Sequence, residues 1–208
     1  ALSAASDTDV ISIDDGTYSE NLTLSSDISV TLKSHTDTPF GVVLDVASYT
    51  SHGFNWTTTA TTSRTITFKG FHFTGFPDGP SYTSVYVFMQ DGNSGNRYLQ
   101  LVCEDCRFSG GYGAQNSSTN SLALLLRYAH SFTLKRCIID HHYRWTDGVI
   151  YVNDTSNVSV FENCIFYDLR GGLGPTALAI YGDIDAKNCT FVDINTYSGT
   201  SYGVIGAT

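Results

Sequence analysis

Basic charge is scarce in this chain: its 208 residues include 11 Lys and Arg against 20 Asp and Glu, for a formal net charge of −9. The Lys/Arg clusters that neutralise phosphates are missing, so nucleic acid is not an expected partner. No stretch reaches the roughly 18 to 20 apolar residues of a membrane-spanning helix. The opening ALSAASDTD has neither a charged n-region nor an apolar h-region, which reads as a chain from which any signal peptide has been removed. Cysteines in C-x-x-C…C-x-x-C or Cys/His zinc spacing are also lacking, so no metal is expected on the 5 thiols. Finally, no segment shows a 3.6-residue apolar period long enough for a crossover helix, which excludes doubly wound and TIM-barrel architectures.

What is present is a repeat. Lys69-Gly70-Phe71-His72-Phe73, Asp105-Cys106-Arg107-Phe108, Arg136-Cys137-Ile138-Ile139, Asn163-Cys164-Ile165-Phe166 and Asn188-Cys189-Thr190-Phe191 end on one pattern. With Phe71, Cys106, Cys137, Cys164 and Cys189 taken as equivalent, the steps are 35, 31, 27 and 25 residues. Between these segments a more apolar strand recurs at Ser84 to Met89, Leu122 to Leu126, Gly148 to Val152, Ala177 to Tyr181 and Tyr202 to Ile205. Each unit therefore holds at least two short strands separated by Gly/Asn/Asp/Ser turns, and the period is too long for a simple hairpin series. The expectation is an all-β, single-stranded right-handed parallel β-helix, one domain over 1–208.

Stacking turns about 4.8 Å apart turns a repeated inward residue into a ladder. Cys106, Cys137, Cys164 and Cys189 are expected to form one interior column as free thiols. Phe73, Phe108, Ile139, Phe166 and Phe191 are expected to form a second, two residues on. The same alternation leaves His72, Arg107, Ile138, Ile165 and Thr190 outside. Cys103 falls off this ladder and reads as the thiol able to pair elsewhere.

Six of the chain's Asn residues begin an Asn-x-Ser/Thr sequon: Asn21, Asn55, Asn116, Asn153, Asn157 and Asn188. Ser and Thr make up nearly a quarter of the residues, so chance would supply about two or three sequons. The excess points to N-linked glycans on a secreted, extracellular or cell-surface protein.

The N-terminal third carries D-x-I-x-I-x-x-G-x-Y-x-E-x-L-x-L from Asp9 to Leu24, then V-T-L-K-S from Val30 to Ser34. Together with the later N-C-x-F turns, these resemble the right-handed parallel β-helices of the pectin-lyase-like superfamily, over nearly the whole chain. That group includes pectinolytic enzymes, phage tailspikes and bacterial surface and adhesin proteins. The resemblance implies the fold and leaves the function to the site. The hydrolase pattern of the group, with an Asp pair on a middle turn, does not occur in register; Asp14-Asp15 lies in the first turn.

Ile139-Asp140-His141 is similar to the I-D-H turn of pectate lyases, and Asp140, His141, His142, Arg144 and Asp147 gather titratable groups on one turn. Arg170 on the next turn would be the base if it faced the same groove, and calcium the cation. Asp91, Asp154 and Asp183, which close apolar strands, form a weak calcium column that reads better as turn-forming. Tyr82, Tyr112, Tyr143, Trp145 and Tyr197 are loop aromatics suited to a sugar or a protein surface.

Residues 1–8 could make a short N-terminal cap, whereas Tyr202 to Thr208 looks like a core strand with no capping helix after it. The leading expectation is thus a non-enzymatic, glycosylated surface protein, associating head to tail through its ends as a filament subunit. The alternatives are a pectate-lyase-like polysaccharide lyase or hydrolase at Asp140, His141, Arg144, Asp147 and Arg170, and a carbohydrate-binding adhesin.

Overall fold

Period-two alternation of apolar and polar residues puts one set of side chains on each side of a strand, and strands are what this chain forms. The computed structural model describes residues 2–20, 22–45, 54–56, 62–75, 86–90, 99–112, 122–127, 129–144, 150–153, 158–171, 178–181, 183–196 and 205–207. Among them are a 3-10 turn, Leu2–Ala4, and three seven-stranded sheets, with no α-helix. No helix among the described residues is long and apolar enough to cross a membrane.

The first sheet contains β1 (Asp9–Ile13), β4 (Val30–Ser34), β7 (Arg64–Lys69), β10 (Leu99–Glu104), β13 (Ala129–Lys135), β16 (Ser159–Glu162) and β19 (Ile184–Lys187). The second contains β2 (Gly16–Tyr18), β5 (Val42–Asp45), β8 (Phe71–Thr74), β11 (Arg107–Tyr112), β14 (Ile138–Arg144), β17 (Ile165–Gly171) and β20 (Thr190–Thr196). The third contains β3 (Leu22–Leu24), β6 (Phe54–Trp56), β9 (Tyr86–Gln90), β12 (Leu122–Arg127), β15 (Ile150–Asn153), β18 (Leu178–Tyr181) and β21 (Ile205–Ala207). Successive strands go to successive sheets, so each strand lies parallel to the one three places later. Each period therefore has three strands. The third, which adds to the two or more strands expected in each unit, is the run before the Cys/Phe segment, such as Phe132 to Leu134.

The inward side chains of the sheets meet in one apolar core. In the first sheet, Leu32, Phe68, Cys103, Leu134 and Phe161 follow one another in register and are buried. In the second, Leu44, Phe73, Phe108, Ile139, Phe166 and Phe191 do the same, with Phe191 only partly buried. Parallel stacking brings the rings of Phe73 and Phe108 to 5.0 Å and those of Phe166 and Phe191 to 4.7 Å, with each pair of ring planes nearly parallel. Each fully buried phenylalanine is worth about 1.5 to 3 kcal/mol of transfer free energy, and such columns carry most of the stability.

The corner from the first sheet to the second is made the same way in five periods. Gly70, Asp105, Arg136, Asn163 and Asn188 all have positive φ, between 51° and 78°. Backbone pairing continues through the bend: the N–H of Asp105 donates to Lys135 O, that of Arg136 to Glu162 O and that of Asn163 to Lys187 O. Gly70 has a second reason to be glycine, because a Cβ there would meet Thr38 O at 2.8 Å and Ser34 Cβ at 2.9 Å.

Candidate functional site

Cys106, Cys137 and Cys164 stand immediately after these corners and are buried, while Cys189 is partly exposed. All five thiols are free. Three of them sit between a carbonyl of the neighbouring strand and one of their own turn: Cys106 Sγ lies 3.5 Å from Phe68 O and 3.2 Å from Glu104 O, Cys137 Sγ 3.3 Å from Cys103 O and 3.4 Å from Lys135 O, and Cys164 Sγ 3.4 Å from both Leu134 O and Glu162 O. Burial pushes the Cys103, Cys106 and Cys137 thiols up, and the Cys137 contact followed by burial does so for Cys164. A thiol held protonated and inward is a poor nucleophile. Cys103 faces the core beneath β10, away from the surface pairing open to it in sequence terms.

Titratable chemistry gathers instead on the outer face of the second sheet. A second column of positive-φ residues, Gly75, Gly110, His141, Asp168 and Asp193, runs through its strands. At this bend the pairing passes from Ser109↔Asp140 directly to Gly111↔His142. The kink lets β14 present two consecutive side chains, Asp140 and His141, outside the core and turn His142 inward. Arg107, diagonal to Asp140 on β11, donates from Nε at 2.9 Å and from Nη2 at 2.6 Å. His141 Nδ1 lies 2.6 Å from the same carboxylate and, facing an acceptor, is the protonated nitrogen. Beside this group His72 Nε2 sits 2.7 Å from Ser109 Oγ, whose own proton goes to Thr74 Oγ1 at 3.4 Å.

Asp140 is almost wholly buried. Burial by itself would push its carboxyl up, but the hydrogen bonds from Arg107 and His141 outweigh that and hold it below the ordinary carboxylate value. Both oxygens are thereby occupied and the group is a weak base. Burial pushes His72 down, helped by the Arg107 charge, and pushes His142, which hydrogen-bonds the Phe108 backbone, down to about 4.

Of the residues singled out for a lyase, the structure brings Asp140 and His141 together. Arg170 is exposed and donates to Asp168 Oδ1 at 3.0 Å, and its register partner is Tyr143. Arg144 ends β14 with its side chain outside the described residues, and Asp147 lies outside them altogether. Among the described residues, no group of three or more His, Cys, Asp or Glu is arranged to hold a metal ion. Asp183 is exposed and its carbonyl accepts from Ser159 N, while Asp91 and Asp154 fall outside the described residues. Arg107, His72 and Ser109 were not read from the sequence as part of this site. Their signal was the repeat itself: aligned on the cysteines, Ser109 falls opposite Asp140.

Asn188 is the sequon residue whose side chain is described, exposed on the corner column. Asn55 lies on β6 and Asn153 on β15 with side chains outside the described set, as are Asn21, Asn116 and Asn157 entirely. On the next two strands of the same face, β17 and β20, Ile165, Tyr167 and Val192 are exposed, and the His141 ring meets Tyr167 edge to face at 5.3 Å. Comparison with protein-family models, curated proteins and solved structures finds no match to this chain.

Proposed function

We propose that the chain winds as a single-stranded right-handed parallel β-helix of the pectin-lyase-like type and serves as a non-enzymatic, secreted, glycosylated structural protein of an extracellular surface. The strand order, three sheets visited in rotation, supports the coil. The strong right-handed bias of parallel crossover connections supports its hand. The observation that carries the non-enzymatic reading is the state of Asp140. The buried carboxylate at the best-formed polar cluster has both oxygens engaged by Arg107 and His141, and no step that needs it to take a proton can begin without breaking that pair.

Association belongs to the same proposal. The apolar side chains left partly buried are chiefly those of the outermost periods: Leu2, Ile11, Ile13, Tyr18, Leu22 and Ile28 on one side, Ile184, Cys189, Phe191 and Ile194 on the other. A second copy adding its first period beneath β19, β20 and β21 would extend all three ladders and cover the latter group, with the Leu2–Ala4 turn displaced.

Sedimentation velocity across a concentration series, with electron microscopy of the concentrated samples, is expected to show end-to-end oligomers. Strict monomers throughout would remove the filament. Incubation with polygalacturonate and alginate, with and without calcium, is expected to leave both polymers intact. Release of unsaturated oligosaccharides, lost in Asp140→Asn, would replace the structural reading with the lyase one. Mass-spectrometric peptide mapping of native material is expected to show glycan at Asn188, and an unmodified Asn188 would remove that site.

A further inference from the structure

A cavity of about 460 Å³ opens beside the first period of strands. Ile11 and Ile13 of β1, Tyr18 of β2 and Leu22 of β3 line it, and Leu44 lies deeper. The Leu2–Ala4 turn forms its roof, and Glu20 stands in its wall. A volume of this size, apolar with a few polar groups at the edge, is that of a small-molecule site. The Tyr18 hydroxyl is already given to Asp14 O at 2.8 Å, so the tyrosine offers the cavity its ring rather than a donor.

Charge selects the ligand. Residues 1–32 hold no Lys or Arg and six acids, Asp7, Asp9, Asp14, Asp15, Glu20 and Asp27, and Arg64 reaches back to two of these, Asp27 and Asp7. Several of these acids are occupied structurally: Asp27 by Arg64 Nε at 2.8 Å, Asp9 by Ser6 N, Asp7 by Ser29 N and Asp15 by Ser34 Oγ. Glu20 is the carboxylate that lines the cavity itself. An apolar chamber with one carboxylate in its wall and an acidic surround repels fatty acids and favours a cation on an apolar tail, with the Tyr18 ring able to face the cationic head.

We propose that this cavity binds an aliphatic ammonium compound, its chain against Ile11, Ile13 and Leu22 and its charged head at Glu20. The site does not depend on the structural role, but it uses the first period of strands and the roof turn, the face that end-to-end association would cover, so the ammonium and a second copy compete for it. Binding is therefore measured at a concentration where sedimentation shows monomer.

Isothermal titration with decyltrimethylammonium and decanoate below their micellar concentrations, and decanol below its solubility limit, is expected to give one saturable site for the ammonium. Decanol should bind about tenfold more weakly, the loss of one favourable charge contact, and decanoate should not bind. Glu20→Lys should reverse the order of ammonium and decanoate. Ser3→Trp, at an exposed roof position, should fill the chamber and abolish binding of all three with the fold kept, as judged by circular dichroism. Unsaturable multi-site uptake, equal affinity for the three compounds, or indifference to both substitutions would overturn the proposal. So would end-to-end oligomers whose size the ammonium leaves unchanged, since ligand and second copy would occupy one face.

Discussion

A carboxylate as buried as Asp140 is tolerated on a sheet face because Arg107 answers it bidentately and His141 takes a further lone pair. Removing the cation is the more damaging half of that bargain, since it strands a buried charge. Arg107→Met is expected to cost about 3 to 5 kcal/mol, and Asp140→Asn about 1 to 3 kcal/mol, by urea denaturation at neutral pH. Equal and negligible costs would mean that the pair holds nothing together. The two groups also set the acid response. The folded-state value of Asp140 is depressed, so its contribution is present above the unfolded value and is lost as the pH falls through the folded one. His142 acts earlier: between its ordinary 6.5 and about 4 the unfolded chain binds a proton that the buried ring does not. Stability should therefore fall on acidification across that window, by on the order of 3 kcal/mol in all. His142→Leu should flatten this part of the profile, and an unchanged slope in the variant would assign the acid sensitivity elsewhere.

At the scale of the element, two devices keep the strands in register. One is the corner residue with positive φ before Phe71, Cys106, Cys137, Cys164 and Cys189. Asn163 is exposed there, so substituting it tests backbone conformation with little loss of packing. Asn163→Gly should be neutral or slightly stabilising, and Asn163→Val should cost about 1 to 2 kcal/mol, as a β-branched side chain resists the left-handed region. Matching stabilities for the two variants would show that the corner relaxes. The other device is a charge ladder on the outer face of the first sheet, where Lys69, Glu104, Lys135, Glu162 and Lys187 succeed one another in register with alternating sign. Because Lys33 already stands in register with Lys69, Glu104→Lys would place four like charges in a row, at an expected cost of about 0.5 to 1 kcal/mol that added salt reduces.

The cysteine and phenylalanine columns were legible in the sequence because stacking demands the same residue class at each period. The strand before each cysteine was not: in Ser159–Glu162 and Ile184–Lys187 it is four residues long and half polar, too short for alternation to stand out. The partnership of Arg107 with Asp140 was hidden for a different reason. It joins residues 33 apart across periods of unequal length, so it appears only after the register is known. Arg136 at a positive-φ corner shows the same limit, because the Asp105 carboxylate that it grips at 2.7 Å belongs to the neighbouring period.

For the whole molecule, stability should be graded along the stack of strands. A strand in the middle has neighbours on both sides, whereas β1, β2 and β3, and β19, β20 and β21, stand at the margins of their sheets. A parallel strand draws its pairing and much of its packing from the strands on either side, so identical substitutions should differ by position. The phenylalanine column supplies a matched pair. Phe108 is fully buried between Phe73 and Ile139, and Phe191 is the partly exposed last member above which Phe166 stacks. Phe108→Ala should cost about 3 to 5 kcal/mol and lower the midpoint of a single global transition. Phe191→Ala should cost roughly half as much, and its loss should be local: amide exchange should quicken in 184–196 while protection in 101–109 and 132–139 is kept. Uniform loss of protection across the chain in Phe191→Ala would show that the sheets unfold as one unit and that their margins are no weaker than their centre.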